Sequence, residues 1–113
     1  MTKNRIIIAE SGRYRIIDYR EIRYIEGHGS YSTIYWEQNK SSISKNLKQI
    51  EETLDCNAQF IRVHQSFMVN INQIKDFQIK ESQIITSQDE VLPISRGYKK
   101  EIIAVFKNQF EWL

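Results

Sequence analysis

A single cysteine, Cys56, a single proline and four glycines stand among 113 residues, and each scarcity removes a class of protein. One thiol cannot close an internal disulfide and leaves a metal site without thiolate partners, so a reducing cytoplasm is the expected compartment. A glycine-rich phosphate loop is missing as well: only Gly27 and Gly29 lie close together, and they precede a strand-like stretch and not a helix. No apolar run exceeds five residues and the polar start Met1, Thr2, Lys3, Asn4, Arg5 lacks a secretory core, so no membrane association is expected. No repeat, low-complexity segment or Pro/Gly linker divides the chain. One domain is expected over residues 1–113, with its core at about 5–106 and a C-terminal tail at 107–113.

Charge of neither sign is in large excess. Sixteen Lys and Arg against fourteen Asp and Glu give a formal net charge of +2, which permits an anionic partner without demanding one. Hydrophobic residues at 41% and charged residues at 27% place the chain with ordinary globular proteins and away from disordered ones. Catalytic constellations also fail. His28 and His64 lie apart and lack a thiolate partner, a poor basis for a metal site. A dyad using Cys56 is opposed by its place at a helix C-terminus, where the dipole disfavours a thiolate. No catalytic residue, metal, cofactor or small-molecule substrate is expected.

What the chain does have is short runs that alternate with period two. Residues 5–9 and 13–18 read as a hairpin about Ser11 and Gly12, and residues 21–26 as a strand. The polar loop Gly27, His28, Gly29, Ser30 follows. Residues 31–37, with Tyr31, Tyr35 and Trp36, fit a pleated, half-buried surface. Residues 39–42 read as a turn leading to a short strand at Ile43. Leu47, Ile50 and Leu54 then recur at three and four residues, an apolar helical stripe capped by Ser44 or Asn46 and ended by residues 55–57. Three further strands are expected at residues 73–80, 83–87 and 91–94, and a last helix at 98–106. The fold class is therefore mostly β with short α-helices, an α+β arrangement of antiparallel sheets.

Residues 60–70 are organised differently. Two apolar blocks, 60–63 and 67–69, enclose a cation, an imidazole, an amide and a hydroxyl. Strand alternation puts Ile61 and Val63 on one face and Phe60, Arg62 and His64 on the other, delivering Arg62, His64, Gln65 and Ser66 to the strand end. Two more donor-rich tips accompany them: the loop of His28, Ser30 and Tyr31, and Ser95, Arg96, Lys99 and Lys100 at the start of the last helix. Brought to one edge, such tips would track phosphates through serine, lysine and arginine donors. Arg96 and Gln65 suit base edges in a major groove, since arginine pairs bidentately with guanine and glutamine with adenine.

The chain also resembles a known family. Tyr24, Ile25 and Glu26, then Ser30 and Tyr31, then Asn46, Leu47 and Lys48 with Leu54, then the block FIRVHQSF with Val69 and Asn70, and finally Leu92 and the block PISR are similar to the LytTR-type DNA-binding domain of bacterial transcription regulators. The likeness covers roughly residues 5–106. It implies an antiparallel β fold whose loops enter successive major grooves of double-stranded DNA. It implies base reading by Arg96, by Gln65 and by one of His28, Tyr31 or Ser32, with backbone contacts from Arg62, His64, Ser66 and Lys99. In this family the domain usually follows a phosphorylatable receiver and two copies bind direct repeats, so a homodimer on DNA is expected. This chain carries no receiver, which makes it a stand-alone regulator or a piece of a longer chain.

Plainer readings stand beside these. Arg62 suits a cross-strand charge, His64 a hydrogen-bonded structural histidine, Gln65 and Ser66 a turn, and Lys99 and Lys100 a solvated face. Tyr35, Trp36, Phe60, Phe67 and Phe77 are core by default, and Trp112 with Leu113 a docked tail or dimer contact. Two rival functions follow: a protein-interaction module using a strand edge or residues 110–113, and a single-strand binder that stacks bases on exposed aromatics. Exposure of Tyr31, Tyr35 and Phe67 separates stacking from loop readout.

Overall fold

The computed structural model describes residues 4–54 and 59–113. β1 (Arg5–Glu10) and β2 (Arg13–Asp18) pair antiparallel about Ser11 and Gly12, where Gly12 adopts φ +76, a left-handed value that glycine takes without steric cost. Five strands then form one antiparallel sheet in the order β5-β4-β3-β7-β6: β3 (Ile22–His28), β4 (Tyr31–Trp36), β5 (Asn39–Ile43), β6 (Phe60–His64) and β7 (Phe67–Asn70). Helix α1 (Leu47–Leu54) connects β5 toward β6. β8 (Ile74–Gln78), β9 (Gln83–Thr86) and β10 (Val91–Pro93) make a three-stranded sheet, and α2 (Arg96–Gln109) follows.

The five-stranded sheet is covered on both faces, and its sequence says so by being apolar at consecutive positions. Ile25 and Met68 join the hairpin and α1 through Ile8, Ile17, Leu47, Ile50 and Leu54, whereas their neighbours Tyr24 and Val69 join Ile84, Leu92, Ile102 and Phe106 from the other side. A fully buried side chain of this size contributes about 1.5–3 kcal/mol, so both layers hold the sheet, and with it the strand ends, in place. Phe60 and Ile61 likewise pack on opposite sides, as alternation requires.

Two polar anchors fix the layers. Asn70 is fully buried; its amide donates to the carbonyls of Tyr19 (3.3 Å) and Ile22 (2.8 Å), and its oxygen accepts from the Asn72 N–H (3.0 Å). That joins the end of β7 to the start of β3. Arg23, also buried, donates through Nε and Nη2 to the two Glu90 carboxylate oxygens at 2.7 Å each and through Nη1 to the Glu37 carbonyl. Burial opposes charge on Glu90, but the bonds from Arg23 and from the Thr86 hydroxyl outweigh it and hold the carboxyl below its ordinary range. This clamp locks the three-stranded sheet to the far end of β3.

Several expected boundaries move. Residues 39–42 are not a turn but part of β5; the reversal falls at Glu37 and Gln38, with Glu37 at φ 45. The small Ser41 is buried under Trp36 and accepts from its indole N–H at 3.0 Å, which a polarity pattern does not reveal. Gly27 and His28 belong to β3, leaving only Gly29 and Ser30 as the turn, with Gly29 at φ +79 where a two-residue hairpin needs it. Gln73 closes a short 3-10 turn and not a strand, and α2 starts at Arg96 and runs to Gln109. Asn46 proves to be the α1 cap: its side chain accepts from the Gln49 N–H (2.8 Å) while the Gln49 side chain accepts from the Asn46 N–H (2.9 Å). The expected helix end at residues 55–57, and Cys56 with it, lie outside the described residues.

Candidate nucleic-acid interface

The turns β3–β4 and β6–β7 project from the same end of the sheet because β3 and β7 are adjacent and antiparallel. A backbone bond from the Gly27 N–H to the Ser66 carbonyl (2.8 Å) joins them. The third tip is tied in from the opposite face, where the Ser95 N–H donates to the Val63 carbonyl at 2.9 Å. Arg96 thus begins its helix beside the strand that ends at His64, just before Gln65. The three donor-rich tips share one edge.

In the first tip His28 and Tyr31 face each other across the turn, their rings stacked at 4.8 Å with Tyr31 47% exposed. His28 Nε2 lies 3.2 Å from the Thr33 hydroxyl, and Ser30 is exposed. Ser32, counted among the base readers, has no accessible surface; its hydroxyl donates to the Lys45 carbonyl at 2.8 Å. It braces the turn from beneath and does not reach the edge. Strand parity puts Ser32 on the face away from the exposed Tyr31, and there the segment leading into α1 lies over it.

The second tip is built around Arg62. Its Nε donates to the His64 carbonyl (3.0 Å), its Nη2 to the Gln65 carbonyl (2.6 Å) and its Nη1 to Glu51 of α1 (3.1 Å). The guanidinium brackets the turn from inside. His64 Nδ1 accepts from the Ser66 N–H at 3.0 Å, so in the neutral ring the proton sits on Nε2. Gln65 is exposed, Ser66 partly so, and the Gln65 side chain has no partner among the described residues. In the third tip Arg96 is exposed and likewise unpartnered. Arginine at the positive end of a helix is disfavoured unless an anion is near. Lys99 is part-buried and donates to the Ser82 hydroxyl at 3.1 Å; Lys100 is exposed.

Lys45 and Lys48, not counted among the site residues from the sequence, also stand at this edge. β5 ends opposite Ser32, so residues 44–48 emerge beside the first tip. A cation just before an amphipathic helix is ordinary, and only the β4–β5 register brings it here. Elsewhere, among the described residues no cluster of three or more His, Cys, Asp or Glu is placed to hold a metal ion, and no helix is long and apolar enough to cross a membrane. Tyr35 and Phe67 are half-buried, so Tyr31 is the exposed ring at the tips.

Fold and edge together define a β-rich domain that presents polar turns, carried by two layers of core, to a partner. Residues 12–107 match the family model of the LytTr DNA-binding domain, and the chain belongs to that family. It is 31% identical over 90 residues to the sensory transduction protein LytT of Bacillus subtilis, covering 77% of this chain and 37% of that protein. It is 30% identical over 85 residues to the CO-responsive transcriptional regulator RcoM of Rhodospirillum rubrum, 72% of this chain and 36% of that one. The chain therefore spans little more than a third of the curated relatives it matches. A solved LytTr DNA-binding domain from Bacillus cereus superposes with a TM-score of 0.78 over 93% of this chain and 98% of that one at 22% identity, a likeness of fold.

Proposed function

We propose that this chain binds double-stranded DNA sequence-specifically, without catalysis, as the DNA-contacting part of a transcription regulator. The observation that carries the reading is that Arg96 and Gln65, two side chains suited to base edges, stand exposed and unpartnered on tips joined through Ser95 and Val63. A major groove about 12 Å wide admits such turns. Arg96 and Gln65 read bases, and His28 or Tyr31 does so from the first tip. Ser30, Ser66, His64, Lys99 and Lys100 contact phosphates. Two copies occupy directly repeated half-sites. The transcriptional role draws on the names of the relatives; the double-stranded partner draws on the half-buried Tyr35 and Phe67, which leave Tyr31 as the one exposed tyrosine or phenylalanine at the tips among the described residues.

Selection of bound duplexes from a random pool tests this and supplies the site. Against that site Arg96→Ala is expected to cost about 1–3 kcal/mol and to relax preference at one base position. Equal weakening on every sequence would remove the base-reading role.

A further inference from the structure

The start of α1 is pinned between the first two tips by three contacts. The Ser32 hydroxyl holds the Lys45 carbonyl at 2.8 Å. Leu47 lies so close over Gly27 that a β-carbon there would stand 3.1 Å from the Leu47 β-carbon. One turn on, Glu51 holds Arg62 beneath the second tip at 3.1 Å. From Leu47 to Glu51 the helix rises about 6 Å, so its first turn bridges the two hairpin ends.

Lys45 and Lys48 are both exposed there, and neither has an acidic partner among the described residues. Lys48 and Glu51, three apart, share one flank of the helix, so Lys48 lies toward the Gln65 turn. The acid nearest in sequence, Glu51, is engaged by Arg62. The reciprocal bonds take up the Asn46 and Gln49 amides, and the exposed lysine side chains are the charged groups at the helix start able to meet an anion. A turn inserted in a groove brings whatever flanks it against the phosphate wall of that groove.

We infer that Lys45 and Lys48 form a phosphate-contacting ridge, a second cationic element of the interface on the α1 side of the tips. This rests on the duplex-binding reading above. The test is the salt dependence of binding to the selected duplex for wild type, Lys45→Ala, Lys48→Ala, the double variant and Lys40→Ala. Lys40 sits at the opposite end of β5 and is the control for net charge. Each ridge substitution lowers the slope of log affinity against log salt by about one unit, equally on all sequences. The double variant then loses about tenfold less affinity than wild type between 50 and 200 mM salt. Unchanged slopes with an unchanged melting temperature, or an equal fall for Lys40→Ala, overturn the ridge while leaving the base-reading tips standing. A wild-type chain with no preference for duplex overturns both.

Discussion

Replacing Arg62 with alanine separates two roles that its position allows, phosphate contact and construction of the second tip. Its guanidinium makes three hydrogen bonds, two to the carbonyls of His64 and Gln65 and one to Glu51. Each carbonyl bond is worth a net 0.5–1.5 kcal/mol or so, because water can replace it at a surface turn. The pair with Glu51 adds a few tenths at most, since the Glu51 side chain is 43% exposed. The sum is about 1–3 kcal/mol, a fall in melting temperature of roughly 4–13 °C for a chain of this size. With the turn released, the Gln65 side chain loses its fixed position. Competition binding should show relaxed preference at the base position proposed for Gln65, with the salt slope of wild type retained. Arg62→Lys should not restore either quantity, because a point charge cannot fork across two carbonyls and a carboxylate. A slope lowered by about one unit in Arg62→Ala, together with recovery in Arg62→Lys, would refute the bracket and return Arg62 to the phosphate contacts.

Two further perturbations probe the scaffold. Asn70→Ala strips partners from the Tyr19 and Ile22 carbonyls and the Asn72 N–H inside the protein, and urea denaturation should report a loss of about 2–4 kcal/mol; less than 1 kcal/mol would mean that water replaces the amide. For Glu90 the folded carboxyl lies below its ordinary value of 4.5, so its contribution is present above that pH and is lost as pH falls through the lower folded value. Wild type should therefore exceed Glu90→Gln in stability at pH 7, with the gap closing in acid below 4.5; a gap independent of pH would show that the Arg23 clamp does not depend on the charge.

The sheet that carries the tips is apolar at consecutive positions because it is packed on both faces. Turns on a sheet packed from both sides inherit its order, and recognition by turns requires that they not have to be ordered on binding. The two polar anchors, Asn70 and the Arg23–Glu90 clamp, lie toward the other end of β3. Core and anchors thus leave Gln65 and Arg96 exposed at the donor-rich edge without side-chain partners among the described residues, whereas Arg62, Ser32, His64, His28 and Lys99 are engaged within the fold.

Apolar runs of strand length and turn signals by themselves determined the β1–β2 and β8–β9 hairpins, and the spacing of Leu47, Ile50 and Leu54 determined α1, because these patterns follow from local backbone geometry. The same local logic marked the block around Arg62 to Ser66 and the Ser95–Arg96 start, since donors interrupting an apolar run need a reason. Tertiary structure decided the rest. Whether Ser32 faced the edge, whether Arg62 held a turn, and whether Lys45 stood beside Ser32 depended on which strands became neighbours. The polar run at residues 39–43 became a strand only because β4 offered it Trp36 to lie beside. Pairing between β3 and β7, more than forty residues apart, is what puts the tips on one edge. Such long-range pairing reflects the free energy of closing a core from both faces, a property of the whole chain and not of any window along it.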